Sequence, residues 1–431
     1  MAAQKITHNF SRNNNGKKIE KRGRRICLMI ICLMLTIVAC LTLALEYVFL
    51  DMDRSQKISN ENVIADDYKP PRFVINTVVL PSVVNPKGRT RRLDAITATW
   101  ASPTNAIYVT HPGTDSDYSI DPSSSLGKYP QIMSIEPNIA TEEQGVPRLK
   151  YVIEKVYKEF NPDFCFFAND HTFIIPRHLY KFLDTIDANP DEHLYSGHAL
   201  RPKNQKGAKY AFNSGASGYF LSRKTMQTLT EKWNSGDVTC EGSDRPWIQG
   251  NPGLLTAECL ASIGVHPIDT RDEEKRHVFH AFGLMRVVKN EVDSWYHGKH
   301  EDLAEILGED LKYHHELQKG VACCSPNTGE FALVVIVIMI FIKHLSKLMR
   351  IIQMNEIATF HYVEYAETRA LWDALNEIKK NPGISDKMLQ KLMISSWPEK
   401  KSDVGGYAHN LPPPKKQDVW NDLLQVIRMI A

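Results

Sequence analysis

The fold is decided by the stretch from Asn161 to Ile175, NPDFCFFANDHTFII. Its apolar part, Phe164 to Ala168, predicts a buried strand that runs into a polar tip, Asn169-Asp170-His171, and then into a second short apolar run. Open α/β sheets bind ligands outside the carboxyl ends of their strands, so the tip is a candidate binding site. A carboxylate beside an imidazole suits Mn²⁺ or Zn²⁺ better than Ca²⁺. A solvated surface turn is the alternative interpretation.

The segments around this stretch alternate between strand and helix patterns. Phe73 to Leu80 is rich in β-branched residues, and Ala106 to Thr110 reads as the next strand. Apolar residues at helical spacing predict helices between and after these strands. They are Arg91–Trp100, Leu149–Phe160, His178–Ile186, Glu364–Lys380 and Val419–Ile430. This order predicts an α/β fold with a mostly parallel sheet.

The N-terminal region has the pattern of a membrane anchor. Residues 1–25 form a basic tail, and Ile26 to Leu45 is free of charge, with apolar residues continuing to Leu50. Such a span crosses a bilayer as a helix, and the preceding positive charge places the tail in the cytosol. We therefore expect a single-pass type II protein with a transmembrane helix at 26–50, a stem at 51–72 and a lumenal body. A cleaved signal peptide is the alternative, although its apolar core is usually shorter. The basic cluster is a topology signal rather than a nucleic-acid site.

The cysteines and glycines exclude some classes of site. Five of the eight cysteines follow the predicted anchor, an odd number that leaves at least one thiol free or paired between chains, so a homodimer stays open. No C-x-x-C pair indicates a structural zinc site. The chain also lacks the phosphate-binding G-x-x-x-x-G-K-[ST] and the dinucleotide-binding G-x-G-x-x-G.

Two further segments carry candidate site residues. Gly215 and Gly218 lie among small residues in NSGASGYFLSR, which predicts close approach of the backbone to a bulky group or, alternatively, a glycine-bearing turn before a helix. His277 and His280 are three positions apart in HVFHAF and form a second metal-capable cluster, although a single histidine is more often structural.

Five motifs occur in an order that resembles glycosyltransferase family 31, in particular its core 1 β1,3-galactosyltransferases and fringe-like enzymes. They are R-x-x-A-I-x-x-T-W from Arg92, the strand tip, S-G-A-S-G-Y-F-L-S from Ser214, F-H-x-F from Phe279 and C-C-S from Cys323. The resemblance covers roughly Phe73 to Thr368. It implies a GT-A, Rossmann-like domain at 73–380 in the Golgi lumen that transfers a sugar, galactose above all, from a UDP-sugar. The transfer would be inverting and Mn²⁺-dependent, in β1,3 linkage to a glycan or glycoprotein acceptor.

The resemblance also assigns residues. The family's D-D-D or D-x-D motif falls on Asn169, Asp170 and His171, so two of its carboxylates are replaced. Asp170 and His171, with His280 from F-H-x-F, are the implied metal ligands. The implied residues of the UDP-sugar pocket are Arg92, Asn169, Asp170, Gly215 and Gly218.

The catalytic base is the second departure from the family. The family's acidic pair falls on Pro252-Gly253, which cannot take a proton, so Glu241 and Asp244 become the nearest candidates for the base that inverting transfer needs. The family's cysteine spacing implies a Cys240–Cys259 disulfide.

A third departure lies near the C-terminus. The family's F-H-Y sequence matches Phe360-His361-Tyr362, but residues 329–355 precede it and have the character of an insertion or a gene-model error. Residues 381–431 are predicted to be a C-terminal tail. Because two carboxylates are lost, the alternative to an enzyme is a catalytically inactive homologue that acts as a chaperone or a glycan-binding module.

Overall fold

In the computed structural model, the predicted central strand is β4, Phe164–Ala168, and all five of its residues are buried. The structure describes residues 72–82, 88–111, 130–141, 144–202, 210–242, 251–271, 277–284, 286, 357–361, 363, 365–396 and 416–431. The predicted anchor, the segment 329–355, Asp244 and the C-C-S motif lie outside these residues.

A six-stranded sheet surrounds β4, and its other strands are β1 Ile75–Val79, β2 Ile107–Thr110, β3 Gln131–Ser134, β6 Tyr195–Gly197 and β9 Tyr219–Ser222. The strand order is β3-β2-β1-β4-β9-β6. Strands β3, β2, β1 and β4 are parallel, whereas β9 is antiparallel to both β4 and β6. From β1 the chain moves outward on one side through β2 and β3, and β4 then lies on the other side of β1, so the topological switch point falls between β1 and β4.

Helices cover both faces of this sheet, as strands with buried residues on both sides require. The first core, on one face of the sheet, contains Phe164 and Phe166 of β4 together with buried residues of five helices. These helices are α1 Arg89–Ala98, α3 Pro176–Thr185, α7 Tyr365–Lys380, α8 Asp386–Ser396 and α9 Gln417–Ile430. The last two lie in the predicted tail, yet Leu389 and Leu423 are fully buried, so both helices are part of the fold.

The second core, on the opposite face of the sheet, contains Cys165 and Phe167 of β4 and buried residues of a second group of helices. They are α2 Gly145–Lys155, which continues as a π-helical turn at Val156–Phe160, α4 Arg223–Asn234, α5 Val238–Glu241 and α6 Pro252–Ala261. A disulfide joins Cys240 of α5 to Cys259 of α6, which confirms the predicted pairing. Among the described cysteines, Cys165 is free and buried.

Two small sheets complete the described fold. Strand β5, Phe173–Ile174, pairs with β11, Thr359–Phe360, which in turn pairs with β10, Phe279–His280. Strand β7, Ala199–Leu200, pairs with β8, Phe212–Asn213. The three-stranded sheet brings β10 and β11, from two distant parts of the chain, next to β5, which follows β4 closely in the sequence. Among the described residues, no helix combines the length and the apolar character needed to cross a membrane.

Candidate functional site

The predicted strand tip lies at the switch point of the sheet. Val79 at the end of β1 is in register with Ala168 at the end of β4, and the Leu80 amide donates to the Ala168 carbonyl oxygen at 2.9 Å. Beyond this point the Ser82 amide donates to Asp170 Oδ1 at 3.0 Å. The ends of β1 and β4 are therefore joined where α/β sheets bind ligands.

Asp170 is held by a buried ion pair. Its Oδ2 accepts a hydrogen bond from Arg92 Nε at 2.8 Å, and the side chains are 2% exposed for Arg92 and 0% for Asp170. Arg92 belongs to α1, so this contact ties the helix that follows β1 to the tip of β4. With Ser82 on Oδ1, both carboxylate oxygens are engaged, and the charge of Asp170 is balanced by Arg92.

Asn169 folds the tip and connects it to a distant segment. Its Oδ1 accepts from the His171 amide at 2.9 Å and from Thr172 Oγ1 at 3.0 Å. Its Nδ2 lies 3.1 Å from Nε2 of His361, which directly follows β11. The Val363 amide also donates to the His171 carbonyl oxygen at 3.0 Å.

His361 is the site residue that the sequence analysis missed. The F-H-Y sequence was recognised there only as a landmark. The 192 positions between Asn169 and His361 hide their contact from any local pattern.

The glycine-bearing segment lies beside the same tip. The single hydroxyl hydrogen of Thr172 is shared between Asn169 Oδ1 and the Ala216 carbonyl oxygen, which lies 2.9 Å from Oγ1. Thr359 Oγ1 donates to the Ser217 carbonyl oxygen at 2.7 Å. The bulky group that approaches Gly218 is the Phe166 ring: a Cβ on Gly218 would lie 2.2 Å from Phe166 Cζ. No atom lies within 4 Å of a Cβ built on Gly215, so a pocket role for this exposed glycine stays a prediction.

His280 lies on β10, which is separated from β5 by β11. Its ring stacks on Phe360 with the centroids 5.5 Å apart, and its Nε2 is buried without a hydrogen-bond partner. Burial lowers the pKa of His280 to about 4, against the opposing effect of a backbone hydrogen bond at His277. The imidazole is therefore kept neutral in the core, one strand away from the segment that contacts the tip.

The candidate base Glu241 lies in the other layer of helices. It ends α5, next to Cys240 of the second core, and its charge acts on Lys150 of α2. Burial lowers the pKa of Lys150, and Glu241 opposes this shift. Arg92, by contrast, belongs to α1, whose apolar residues pack in the first core. Glu241 and Arg92 therefore belong to helices on opposite faces of the sheet.

The predicted Mn²⁺ ligands do not form a metal site. Asp170 has both oxygens engaged, His280 lies on a separate strand, and no group of three or more His, Cys, Asp or Glu residues in the described part of the chain is arranged to hold a metal. Asn169 directs its amide NH₂ group toward His361, whereas a metal ligand at this position would direct an oxygen there. The described residues thus do not fit a resident divalent ion in the predicted arrangement.

Comparison with known proteins gives a relationship at the level of enzyme class. A segment of 120 residues is 31% identical to glycoprotein-N-acetylgalactosamine 3-beta-galactosyltransferase 1 of Xenopus laevis. The chain is related to a glycosyltransferase. The similarity covers 28% of this chain and only 30% of the relative's length. No family model matches the chain. The mixed α/β architecture and its largely parallel sheet are compatible with a Rossmann-like domain.

Proposed function

We propose that the protein is a glycosyltransferase that transfers galactose from UDP-galactose in β1,3 linkage to a glycan or glycoprotein acceptor, with inversion. The observation that carries this proposal is the similarity to a 3-beta-galactosyltransferase. The switch-point position of the strand tip supports it, because that edge of an α/β sheet is where nucleotide ligands bind. A type II anchor at 26–50 would place the protein in the Golgi membrane with its body in the lumen.

In this reaction the acceptor hydroxyl attacks the anomeric carbon of the donor sugar while the bond to the diphosphate breaks. A base must take the hydroxyl proton, and the departing diphosphate gains negative charge. The chain contributes a rigid donor site, since the Arg92–Asp170 pair and the Ser82 amide fix the β4 tip against α1 and β1. Tip residues and the segment from Ser214 to Gly218 would form its walls. Glu241 and Asp244 stay predictions for the base.

The second candidate function is that of an inactive homologue, a chaperone or a glycan-binding module. A specific observation favours it: the one carboxylate of the tip is paired with Arg92, and the described residues contain no group of three metal-binding side chains. Such a protein would keep the fold and the acceptor surface while losing turnover.

Purified full-length chain, assayed for UDP release from a panel of UDP-sugars with an acceptor glycopeptide, tests the two functions. Each donor is tested with Mn²⁺ and with EDTA. Transfer from one donor, lost in His171→Ala but retained in His193→Ala, establishes the enzyme and names its sugar. His193 is an exposed histidine that contacts Thr228 and serves as the matched control. Absence of turnover with every donor, together with binding of an acceptor glycopeptide, would reject the enzyme and support the second function.

A further inference from the structure

The orientation of the Asn169 carboxamide is fixed by its own turn. The His171 amide can only donate, so the atom that it meets at 2.9 Å must be the carbonyl oxygen Oδ1. The Thr172 hydroxyl, whose one hydrogen is shared with the Ala216 carbonyl oxygen, also lies 3.0 Å from this oxygen. The other end of the carboxamide, which faces His361, is consequently the NH₂ group.

This orientation determines the role of His361. The NH₂ group of Asn169 can only donate, so His361 Nε2, at 3.1 Å, must accept through its ring lone pair. That lone pair is the one through which Nε2 would bind a metal ion. The hydrogen bond therefore occupies the ligating atom of His361 and joins the tip of β4 to the end of β11 without a cation.

The spacing of the two atoms is that of an ordinary hydrogen bond, and it also equals the spacing of two neighbouring ligands of a metal ion. Neighbouring ligands of an octahedral ion lie about 3 Å apart when each is about 2.1 Å from the ion. Asn169 Nδ2 and His361 Nε2 have this separation, 3.1 Å. An amide NH₂ cannot bind a cation, however, because its nitrogen has no available lone pair and its hydrogens carry positive partial charge.

The charge of the tip leads to the same conclusion. Asp170 is its one carboxylate, and Arg92 compensates that charge at 2.8 Å. Divalent ions in nucleotide sites are usually held by one or two carboxylates together with the phosphates. Without an uncompensated carboxylate, the tip neither attracts a divalent ion nor repels an anionic diphosphate.

We infer that the Asn169–His361 hydrogen bond is a cation-independent clasp that takes the place of a divalent ion between the tip of β4 and the segment after β11. Any diphosphate that binds at this edge does so without a metal at the clasp. The inference concerns cation binding, and it holds whether or not the protein turns over a sugar nucleotide.

Titration of the full-length chain with Mn²⁺, followed by the electron paramagnetic resonance signal of the free ion, tests the clasp with and without UDP. The wild-type chain is expected to take up no Mn²⁺ at this site under either condition. Asn169→Asp should take up one ion per chain, since one carboxylate oxygen can keep the turn while the other faces Nε2. The double variant Asn169→Asp/His361→Ala should lose that gain.

Asn251→Asp is the charge-matched control, because Asn251 Oδ1 also accepts a backbone amide, that of Leu254, but in the cap of α6. It should bind no more Mn²⁺ than the wild type.

Thermal unfolding gives a second measurement: Mn²⁺ and EDTA should leave the wild-type Tm unchanged, and Mn²⁺ should raise the Tm of Asn169→Asp. Wild-type uptake that disappears in His361→Ala would overturn the inference. A folded Asn169→Asp chain that gains no ion would also overturn it. Because no sugar transfer is measured, these results are independent of the proposed activity.

Discussion

Arg92 Nε and Asp170 Oδ2 lie 2.8 Å apart, with both side chains almost completely excluded from solvent. This pair connects α1 to the tip of β4 and gives the carboxylate of the tip a structural partner. Removing one member of a buried pair leaves an uncompensated charge, which costs much more than loss of an exposed pair. A loss of activity on changing Asp170 would therefore reflect both the disrupted structure of the tip and the loss of the carboxylate itself.

Arg92→Met should lower the free energy of unfolding by about 3–5 kcal/mol, because Asp170 would remain buried without its cation. Denaturant unfolding of the full-length chain measures this. Arg223→Met is the control, because Arg223 forms ion pairs with Asp163 and Asp191 while its side chain is 28% exposed. The expected loss in free energy of unfolding is below about 1 kcal/mol. Combining Arg92→Met with Asp170→Asn should cost less than the sum of the two single changes. Equal losses for Arg92→Met and Arg223→Met would contradict the structural role.

Gly218→Ala should be strongly destabilising, by about 2–5 kcal/mol, since Gly218 has φ +81° and a Cβ would overlap the Phe166 ring. Gly215→Ala, three positions earlier, should change stability by less than about 0.5 kcal/mol, because open space surrounds the added methyl group. Thermal or denaturant unfolding of the two variants compares them directly. Adding Phe166→Leu to Gly218→Ala should recover the steric part of the loss. Similar stability of the two alanine variants would exclude the close packing.

Local patterns were sufficient for several of the regular elements of the fold. The β-branched run at β1 and the aromatic run at β4 predict buried strands, and both are completely buried. The helical periodicity of Leu149–Phe160 and Glu364–Lys380 predicts α2 and α7 to within a few residues. α8 was not predicted, although Leu389 and Met393 bury its apolar face in the first core.

Contacts between distant segments could not be predicted from such patterns. Strands β5, β10 and β11 have two residues each, too few for an alternating pattern to appear. The contact of Asn169 with His361 and the ion pair of Arg92 with Asp170 depend on how the sheet assembles. The resemblance placed Arg92 near the donor, but only the structure shows that its guanidinium contacts Asp170.

Replacing both Cys240 and Cys259 by alanine should lower the free energy of unfolding by about 2–4 kcal/mol, since the disulfide closes a loop of 19 residues. A reductant should produce a similar loss in the wild type and no further loss in the double variant, as measured by denaturant unfolding. Cys165 does not complicate the comparison, because it is fully buried and burial raises its thiol pKa well above the ordinary value. A wild-type stability that does not respond to reductant would contradict the pairing.

His178 should make the protein less stable in mild acid. Burial lowers its pKa from 6.5 to about 4, with a smaller contribution from the charge of Arg177, and its Nδ1 contacts the Ile357 carbonyl oxygen at 2.6 Å. The unfolded chain therefore binds this proton more readily, so stability is complete above about pH 6.5 and is lost as the pH falls toward 4. The shift corresponds to about 3 kcal/mol of stability.

Unfolding measured from neutral pH down to pH 4 should show a smaller loss of stability in acid for His178→Gln than for the wild type. The exposed His193, changed to Gln as the control, should leave most of that loss in place. Carboxylates contribute equally to all three chains, so equal losses in the His178 and His193 variants would show that His178 is not buried in its neutral form.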